Sequence, residues 1–355
     1  MSQSFDREVA AFGLVSSDAP IRDVIETIDR SQHKIALVVD QLRRLVGTVT
    51  DGDVRRAILA GLEMDVPAKR IMYRTPIVAR AGEPLENAER LAHRRRVRKV
   101  PLLDEDDRVV GIHTVGPDPS EEFADNIVIL MAGGLGTRLR PLTEHAPKPL
   151  LSVGEKPLLE TIVEQIIIQG FRRFFFAVHY KGEMVEDYFG NGKKWNAEFQ
   201  YLRESEPLGT AGALSLLKER SKLPILVMNA DLLTKVNLQS LLDYHRESGA
   251  TATMGVRAYE FKIPYGVVST DGHRITEIIE KPVKELFVNA GIYVLSPDAL
   301  DLLEIGRRLD MPELFSELIA KGHKTAAFPI REYWIDVGRI EDFRRANDEY
   351  SEEFA

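Results

Sequence analysis

Beyond about residue 125, short runs dominated by apolar residues alternate with stretches in which apolar residues recur every three or four positions. The runs "NIVILM", "RRFFFAVHY", "EFQYLRE" and "PILVMNAD" have the length and bulk of strands. Between and after them, "LLETIVEQIIIQ", "GEMVEDYF", "TAGALSLLKER" and "LQSLLDYHRES" carry helical spacing. Strand and helix in turn predict an α/β fold: a Rossmann-like, doubly wound, mixed sheet, mainly parallel and covered on both faces, with ligands at the carboxyl ends of its strands. Past residue 250, "YGVVSTDGHRITEIIE" reads as two strands around an Asp-Gly turn, the usual hairpin signal.

The preceding segment, from about residue 13 to 118, reads differently, as an imperfect repeat of roughly sixty residues. Each half carries a helical stretch, an apolar strand ending in Asp, and a second strand with an early Gly. The first half has "IRDVIETIDRSQHK", "IALVVD" and "LVGTVTDGDVRRAIL"; the second has "PLENAERLAHRRRVRK", "VPLLD" and "VVGIHTVGPD". The two halves are expected to form one folding unit. Between this unit and the α/β segment lies "GPDPSEEFADN", acidic with two prolines, which suits a linker. The boundary is therefore expected near residue 120, giving a front module over 1–120 and a second domain over 121–355.

Length supports the division, since 355 residues exceed one ordinary domain and allow two cores. The formal net charge of -8 repels polyanions as a whole, which argues against nucleic acid as the principal partner. The chain has no cysteine, so disulfides, thiolate zinc sites and a cysteine nucleophile are excluded. The start "MSQSFDREVAAFG" is too polar for a signal peptide, and no apolar run reaches membrane-spanning length. A cytoplasmic enzyme without a membrane partner is the expectation.

The candidate chemistry lies directly behind "NIVIL". Residues 131–150, "MAGGLGTRLRPLTEHAPKPL", hold three glycines, two arginines and a lysine. Gly133, Gly134 and Gly136 let successive amides turn toward an anion, with Thr137 beside them, while Arg138, Arg140 and Lys148 bring full positive charge. A polyphosphate fits such a loop. It is no P-loop, since Gly-x-x-x-x-Gly-Lys-Ser/Thr does not occur, and the dinucleotide fingerprint fails because its third glycine is Leu139. In "YLRESEPLGTAGAL", Gly209 and Gly212 leave room for a flat ring against the backbone, with Glu204 and Glu206 just before them. A carboxylate accepts both the ring N–H and the amino group of guanine, whereas uracil and thymine also need a donor, so guanine is favoured. The alternative for both glutamates is to face water.

"AGGLGTRLRPLT" followed by "PKPL" resembles the signature of the sugar-1-phosphate nucleotidyltransferases, and "EPLGTAGAL", "MNADLL", "IIEKP", "VNAGIYVL" and "YWIDVG" follow in that family's order. The resemblance implies attack of a sugar-1-phosphate oxygen on the α-phosphate of a nucleoside triphosphate, releasing pyrophosphate and leaving a nucleotide-sugar. Both reactants are polyanions, so the work is neutralisation and alignment, with no side-chain nucleophile. By this resemblance Arg138 and Lys148 grip the triphosphate; losing either should cost at least one to two decades in rate, an electrostatic effect of roughly 3 kcal/mol. For Arg140 solvent remains the alternative. Asp231 and Asp336 occupy the family's magnesium positions, and Lys281 meets the phosphate of the sugar-1-phosphate. Glu280 accepts from sugar hydroxyls, and Gly266 and Asn289 line the sugar pocket.

The front repeat resembles a tandem CBS pair, or Bateman module, whose members usually bind adenine nucleotides. Thr50 and Asp53 stand three and six residues beyond Gly47, the CBS spacing in which the Asp holds ribose hydroxyls. In the second half Thr114 keeps its place after Gly111, but Pro117 replaces the Asp and Asp118 is displaced by one. The basic run "HRRRVRK" reads as a solvated helix face, with contact to nucleotide phosphate as the alternative. A purely architectural role remains open too, because CBS pairs often associate through their helices, and a homo-oligomer is expected. A CBS pair joined to this transferase type resembles the glucosamine-1-phosphate guanylyltransferases of legionaminic acid biosynthesis, and more distantly the mannose- and heptose-1-phosphate guanylyltransferases. That implies GTP and a hexosamine- or hexose-1-phosphate as substrates. The rival reading is a regulatory protein that holds a nucleotide-sugar without turnover. Arg138, Lys148, Asp231, Lys281 and Asp336 together argue against it.

Overall fold

The computed structural model describes residues 12–95, 97–116, 125–219 and 221–354, and divides the chain into two compact units, Met1–Asp118 and Pro119–Ala355. Most of the expected linker, residues 117–124, lies outside the described residues.

The first unit is built twice from one plan. Strands β1 (Leu14–Ser16), β2 (Ile35–Val39) and β3 (Leu45–Thr50) form a three-stranded sheet, β1 parallel to β2 and β2 antiparallel to β3. Helix α1 (Ile21–Arg30) packs on it because Ile21, Val24 and Ile28 fall on one stripe and are buried. Helix α2 (Asp51–Leu59) follows β3 directly. The second repeat supplies β4 (Ala79–Arg80), helix α3 (Glu86–Arg95), β5 (Lys99–Leu103) and β6 (Val109–Thr114), with the same strand order and senses.

Asp104, Gly111 and Thr114 stand 64 residues after Asp40, Gly47 and Thr50. The equivalence is structural as well. Asp40 Oδ1 accepts from the amides of Leu42 and Arg44 (both 2.9 Å), and Asp104 Oδ1 accepts from those of Asp106 (3.0 Å) and Arg108 (2.8 Å). Arg44 and Arg108, equivalent positions, bridge the two repeats, and Leu14, Ile35 and Leu37 pack with Val109 and Ile112 in a shared core. The expected single folding unit is what the structure contains.

The second unit is organised around a seven-stranded sheet. Its strands are β7 (Ile127–Met131), β10 (Arg173–Val178), β11 (Glu198–Arg203), β12 (Ile225–Asn229), β14 (Ala252–Lys262), β17 (Val283–Leu295) and β18 (Thr325–Pro329), in the order β11-β10-β7-β12-β17-β14-β18. All run parallel except β17, which is antiparallel to both neighbours. The sheet is mixed, as expected. Alternate residues of each central strand enter opposite cores: Val128, Leu130, Phe174, Phe176, Leu226 and Met228 on one face, Ile127, Ile129, Phe175, Ala177, Ile225 and Val227 on the other. Helices α4 (Leu158–Ile168), α5 (Gly182–Phe189), α6 (Leu238–Ser248) and α8 (Ile340–Glu353) pack on the first face, and α7 (Met311–Ala320) on the second. Small ladders complete the unit: β8 (Ser152–Val153) with β9 (Lys156–Pro157), β13 (Leu232–Thr234) with β19 (Trp334–Asp336), and β15 (Val267–Asp271) with β16 (Arg274–Ile279). The last is the expected Asp-Gly hairpin, with Gly272 at φ +58°.

One expected helix is much shorter. "TAGALSLLKER" forms one turn of α-helix, Gly209–Gly212, and a 3-10 turn, Ala213–Leu216. Helical propensity is overridden here by packing, because both glycines press on the segment Arg307–Asp310.

Candidate active site

From β7 the chain goes to β10 and β11 on one side of the sheet and to β12 on the other, so a crevice opens at the carboxyl ends of β7 and β12, where Met131 faces Asn229. The glycine loop leaves β7 at this point. Gly136 has φ +62°, and its carbonyl accepts from Thr143 Oγ1 at 2.9 Å, which folds the loop back toward Lys148. Gly133 is small for a different reason: a Cβ there would stand 2.9 Å from Glu204 Oε1 and 3.3 Å from the His179 amide nitrogen. Gly134, Thr137, Arg138 and Arg140 are exposed along the loop.

Lys148 is buried and donates its ammonium to Asp231 Oδ2, with Asp336 Oδ1 at 4.0 Å. Asp231 ends the turn after β12. The ladder β13–β19 sets Leu232 opposite Asp336, and the Val337 amide donates to the Asp231 carbonyl at 2.9 Å. Thus two acids from distant motifs meet one lysine. Burial, then the negative charge of Asp231, pushes the Asp336 carboxyl up, while Lys148 and Arg138 pull it down. Arg138 therefore lies within electrostatic reach of this cluster.

Asp231 Oδ1 and Asp336 Oδ1 are both buried without a hydrogen-bond partner, and Asn229 Oδ1, two residues before Asp231, is a third such oxygen. Sequence reasoning missed Asn229. Its signal was its place in "MNADLL" at the end of a buried strand. Unpartnered anionic oxygens are costly unless something takes them up, and a hard, oxygen-preferring cation fits. Among the described residues no group of three or more His, Asp or Glu is arranged to hold a metal. The two carboxylates alone match the sparse protein ligation typical of magnesium, which leaves its other positions to phosphate and water.

Glu204 lies on the other side of the glycine loop, half-buried. Its Oε2 accepts from the Leu208 amide at 2.8 Å, and burial pushes its carboxyl up against the opposing pull of that amide and of His179. His179, a second residue not singled out from sequence, contacts the Glu204 carbonyl through Nδ1 at 3.0 Å. Glu206 is exposed. The close approach expected of a base at Gly209 and Gly212 is made by the protein's own backbone. A Cβ on Gly209 (φ +79°) would lie 2.6 Å from the Leu309 carbonyl, and one on Gly212 would lie 2.4 Å from that of Arg307.

The residues expected at the sugar are brought together only in part. Gly266 and Glu280 are neighbours, with Glu280 Oε2 2.9 Å from where a Gly266 Cβ would stand, and the Lys281 amide donates to the Tyr265 carbonyl at 3.3 Å. Lys281 is exposed and has φ +47°. Asn289 uses both ends of its amide locally: Nδ2 donates to Tyr293 Oη at 2.8 Å and Oδ1 accepts from the Gly291 amide at 2.9 Å. Among the described residues no hydrogen bond or ion pair joins Glu280 or Lys281 to the Lys148 cluster.

In the first unit Thr50 and Asp53 form a capping box at the start of α2: Asp53 Oδ2 accepts from the Thr50 amide and hydroxyl (both 2.8 Å). Asp53 Oδ1 accepts from Arg56 Nη2 at 2.5 Å. Pro117 and Asp118 lie outside the described residues.

A model of the family described as nucleotidyl transferase matches residues 127–353, and the CBS domain matches twice, over 13–60 and 68–112. The mannose-1-phosphate guanyltransferase of Yarrowia lipolytica is 34% identical over 223 residues, which is 61% of this chain and 61% of that protein. The mannose-1-phosphate guanylyltransferase catalytic subunit beta of Drosophila melanogaster is 35% identical over 222 residues, 61% of this chain and 60% of that protein. The chain thus spans about three fifths of the length of these curated relatives. A crystal structure described as a glucose-1-phosphate thymidylyltransferase from Bacillus anthracis, in complex with a sucrose, superposes with a TM-score of 0.51 at 22% identity. It covers 62% of this chain and 94% of that one, and bears on the fold alone. No described helix is long and apolar enough to cross a membrane.

Proposed function

The chain belongs to the nucleotidyl transferase family, and from that premise we propose that it transfers a nucleoside monophosphate from GTP to a hexosamine- or hexose-1-phosphate. An oxygen of the sugar phosphate bonds to the α-phosphorus, the bond from that phosphorus to the oxygen bridging to the β-phosphate breaks, and pyrophosphate leaves. No proton transfer or covalent enzyme intermediate is needed, so the protein's task is to collect charge and hold the two groups in line.

One observation carries this reading: Lys148, Asp231 and Asp336 meet beside the glycine loop at the crevice of a doubly wound sheet. In the proposed complex the loop amides from Gly133 to Thr137 line the triphosphate. Lys148 and Arg138 neutralise the charge that builds on the α-phosphoryl oxygens and the departing pyrophosphate. Asp231 and Asp336 are the residues that would hold magnesium, since each has a buried oxygen that no hydrogen bond takes up. Magnesium, when bound, supplies positive charge to the phosphate oxygens that two basic side chains alone leave incompletely neutralised. Glu204, half-buried and fixed by the Leu208 amide, is the group we assign to guanine, and the similarity to mannose-1-phosphate guanyltransferases favours the same base. Gly266, Glu280, Lys281 and Asn289 are assigned to the sugar phosphate. Lys281 is carried on the exposed arm formed by β15, β16 and the outer halves of β14 and β17, where its ammonium is open to a phosphate oxygen.

In the front module Thr50 and Asp53 are assigned to an adenine nucleotide, with Asp53 exchanging its Arg56 contact for ribose hydroxyls. The experiment that tests the whole reading is pyrophosphate release over a panel of GTP, ATP, UTP, dTTP and CTP against glucosamine-1-phosphate, mannose-1-phosphate and other sugar phosphates. Turnover with GTP and one hexose or hexosamine phosphate is expected. Turnover with no pair would sink the proposal in favour of a non-catalytic binder.

A further inference from the structure

Strands β10 and β11 part company where the candidate site begins. Their ladder runs from Arg173 opposite Glu198 to Val178 opposite Arg203, and the Glu204 amide adds one more bond, to the Val178 carbonyl at 3.0 Å. Continued as a parallel ladder, the next bond would run from the Tyr180 amide to the Glu204 carbonyl. Among the described residues that bond is not made, because the chain turns at His179 toward α5: the His179 carbonyl accepts from the Gly182 amide at 3.3 Å, and Lys181 takes φ +50°. The His179 imidazole stands in for the missing amide, with Nδ1 3.0 Å from the Glu204 carbonyl. A carbonyl only accepts, so Nδ1 carries a proton in the neutral ring as in the charged one, and the contact holds in both.

Glu204 is thereby fastened at three points. Val178 holds its amide, His179 holds its carbonyl, and the Leu208 amide holds its Oε2 at 2.8 Å. Oε1 is left over. It lies 2.9 Å from where a Gly133 Cβ would stand, at the first glycine of the loop, and among the described residues it makes no hydrogen bond. The turn that carries His179 is tied to the same loop, since Lys181 Nζ donates to the Glu144 carbonyl. A hydrogen bond weakens steeply as its angle closes, so a carboxylate that must meet the edge of a base depends on the peptide it hangs from. Without the imidazole, the Glu204 carbonyl would lack its partner at the strand end and that peptide would be free to turn.

We propose that His179 is a positioning residue for the nucleobase: through Nδ1 it fixes the Glu204 peptide, and with it the direction in which Oε1 meets the N–H groups of guanine. The inference rests on the assignment of Glu204 to guanine and deepens it.

The test is equilibrium binding of GTP and of UTP to the full chain, with magnesium and without sugar phosphate, followed by calorimetry. His179→Ala should raise the Kd for GTP about three- to tenfold, the worth of one hydrogen bond, and that for UTP by less than about twofold. The rescue pattern identifies the atom. Asn places an amide N–H where Nδ1 stands, so His179→Asn should restore GTP affinity, whereas Gln reaches the place of Nε2 and should not. Gln also keeps most of the bulk, and serves should the Ala variant fail to fold. In a Glu204→Gln background, His179→Ala should cost nothing further, because the carboxylate it positions has gone; a merely structural loss would persist there. The proposal is overturned by unchanged GTP affinity in the Ala and Gln variants, by equal weakening of GTP and UTP, by rescue with Gln instead of Asn, or by a full loss in the Glu204→Gln background. Should Glu204→Gln itself leave GTP binding intact, the assignment of Glu204 falls and this inference with it. Weakening by Glu204→Gln but by no His179 variant removes His179 alone.

Discussion

Lys148 pairs with Asp231 inside a crevice where a second carboxylate, Asp336, is 4.0 Å from the same ammonium. Each partner keeps the other's burial tolerable. Replacing Lys148 with Met should leave two carboxylates facing each other and lower stability by about 1–3 kcal/mol. Adding Asp231→Asn should return most of that stability and none of the turnover. Urea unfolding of the two single variants and the double variant measures the coupling, and additive losses would show that the pair is incidental.

Magnesium should raise the melting temperature of the wild-type chain even without nucleotide, because two unpartnered carboxylate oxygens wait at one place. Asp231→Asn and Asp336→Asn should each abolish the shift and reduce turnover by at least tenfold, and excess chelator should do the same to the wild type. A wild-type shift retained in both variants would place the cation elsewhere.

Glu204→Gln turns a two-acceptor group into one donor and one acceptor. The kcat/KM for GTP should fall at least tenfold while that for UTP or dTTP rises. Burial holds the Glu204 carboxyl above its ordinary 4.5, so GTP use should fail at a higher pH than an exposed glutamate would dictate as acid is added. The Gln variant should lose that acid limb. An unchanged base preference would remove Glu204 from recognition.

His245 is buried between Thr253 Oγ1 (2.8 Å) and Ser296 Oγ (2.9 Å), and burial lowers its pKa from 6.5 to about 4. The unfolded chain therefore takes up the proton first. The stability that neutral His245 brings is complete above pH 6.5 and is lost as the pH falls toward 4, by about 3 kcal/mol in all. Denaturant titrations at pH 7, 5 and 4 should show this slope in the wild type and a shallower one in His245→Gln. Equal slopes would assign the acid lability to other groups.

Gly209→Ala should destabilise the fold by roughly 2 kcal/mol or more, since its φ is +79° and a Cβ would strike the Leu309 carbonyl. Thermal melts should reveal the loss, while KM for GTP in the folded fraction stays near that of the wild type. A rise in KM with unchanged stability would return this glycine to the nucleotide.

The sheet was legible because β7, β10 and β12 are apolar at successive positions, a pattern that burial on both faces demands. The reversed direction of β17 was not, because the inward alternation of "AGIYVL" is the same for either sense. The meeting of Asp231 with Asp336 could be anticipated only through motif order, since it depends on a three-residue ladder too short to leave a pattern. At Gly209 and Gly212 the segment Arg307–Asp310 already makes a close approach. A glycine in sequence records that something comes close, and not whether that something is a ligand or the chain itself.

That three-residue ladder is held from behind by the last helix. Tyr333 Oη donates to Glu349 at 2.8 Å, Lys235 pairs with Glu353 at 2.5 Å, and Asn347 Oδ1 accepts from the Gly154 amide at 3.0 Å. The proposed metal-holding pair is thus braced by a helix that follows the whole central sheet in the sequence. A growing chain can complete the sheet before α8 exists, and cutting α8 away should loosen the seating of Asp336 while sparing most of the core.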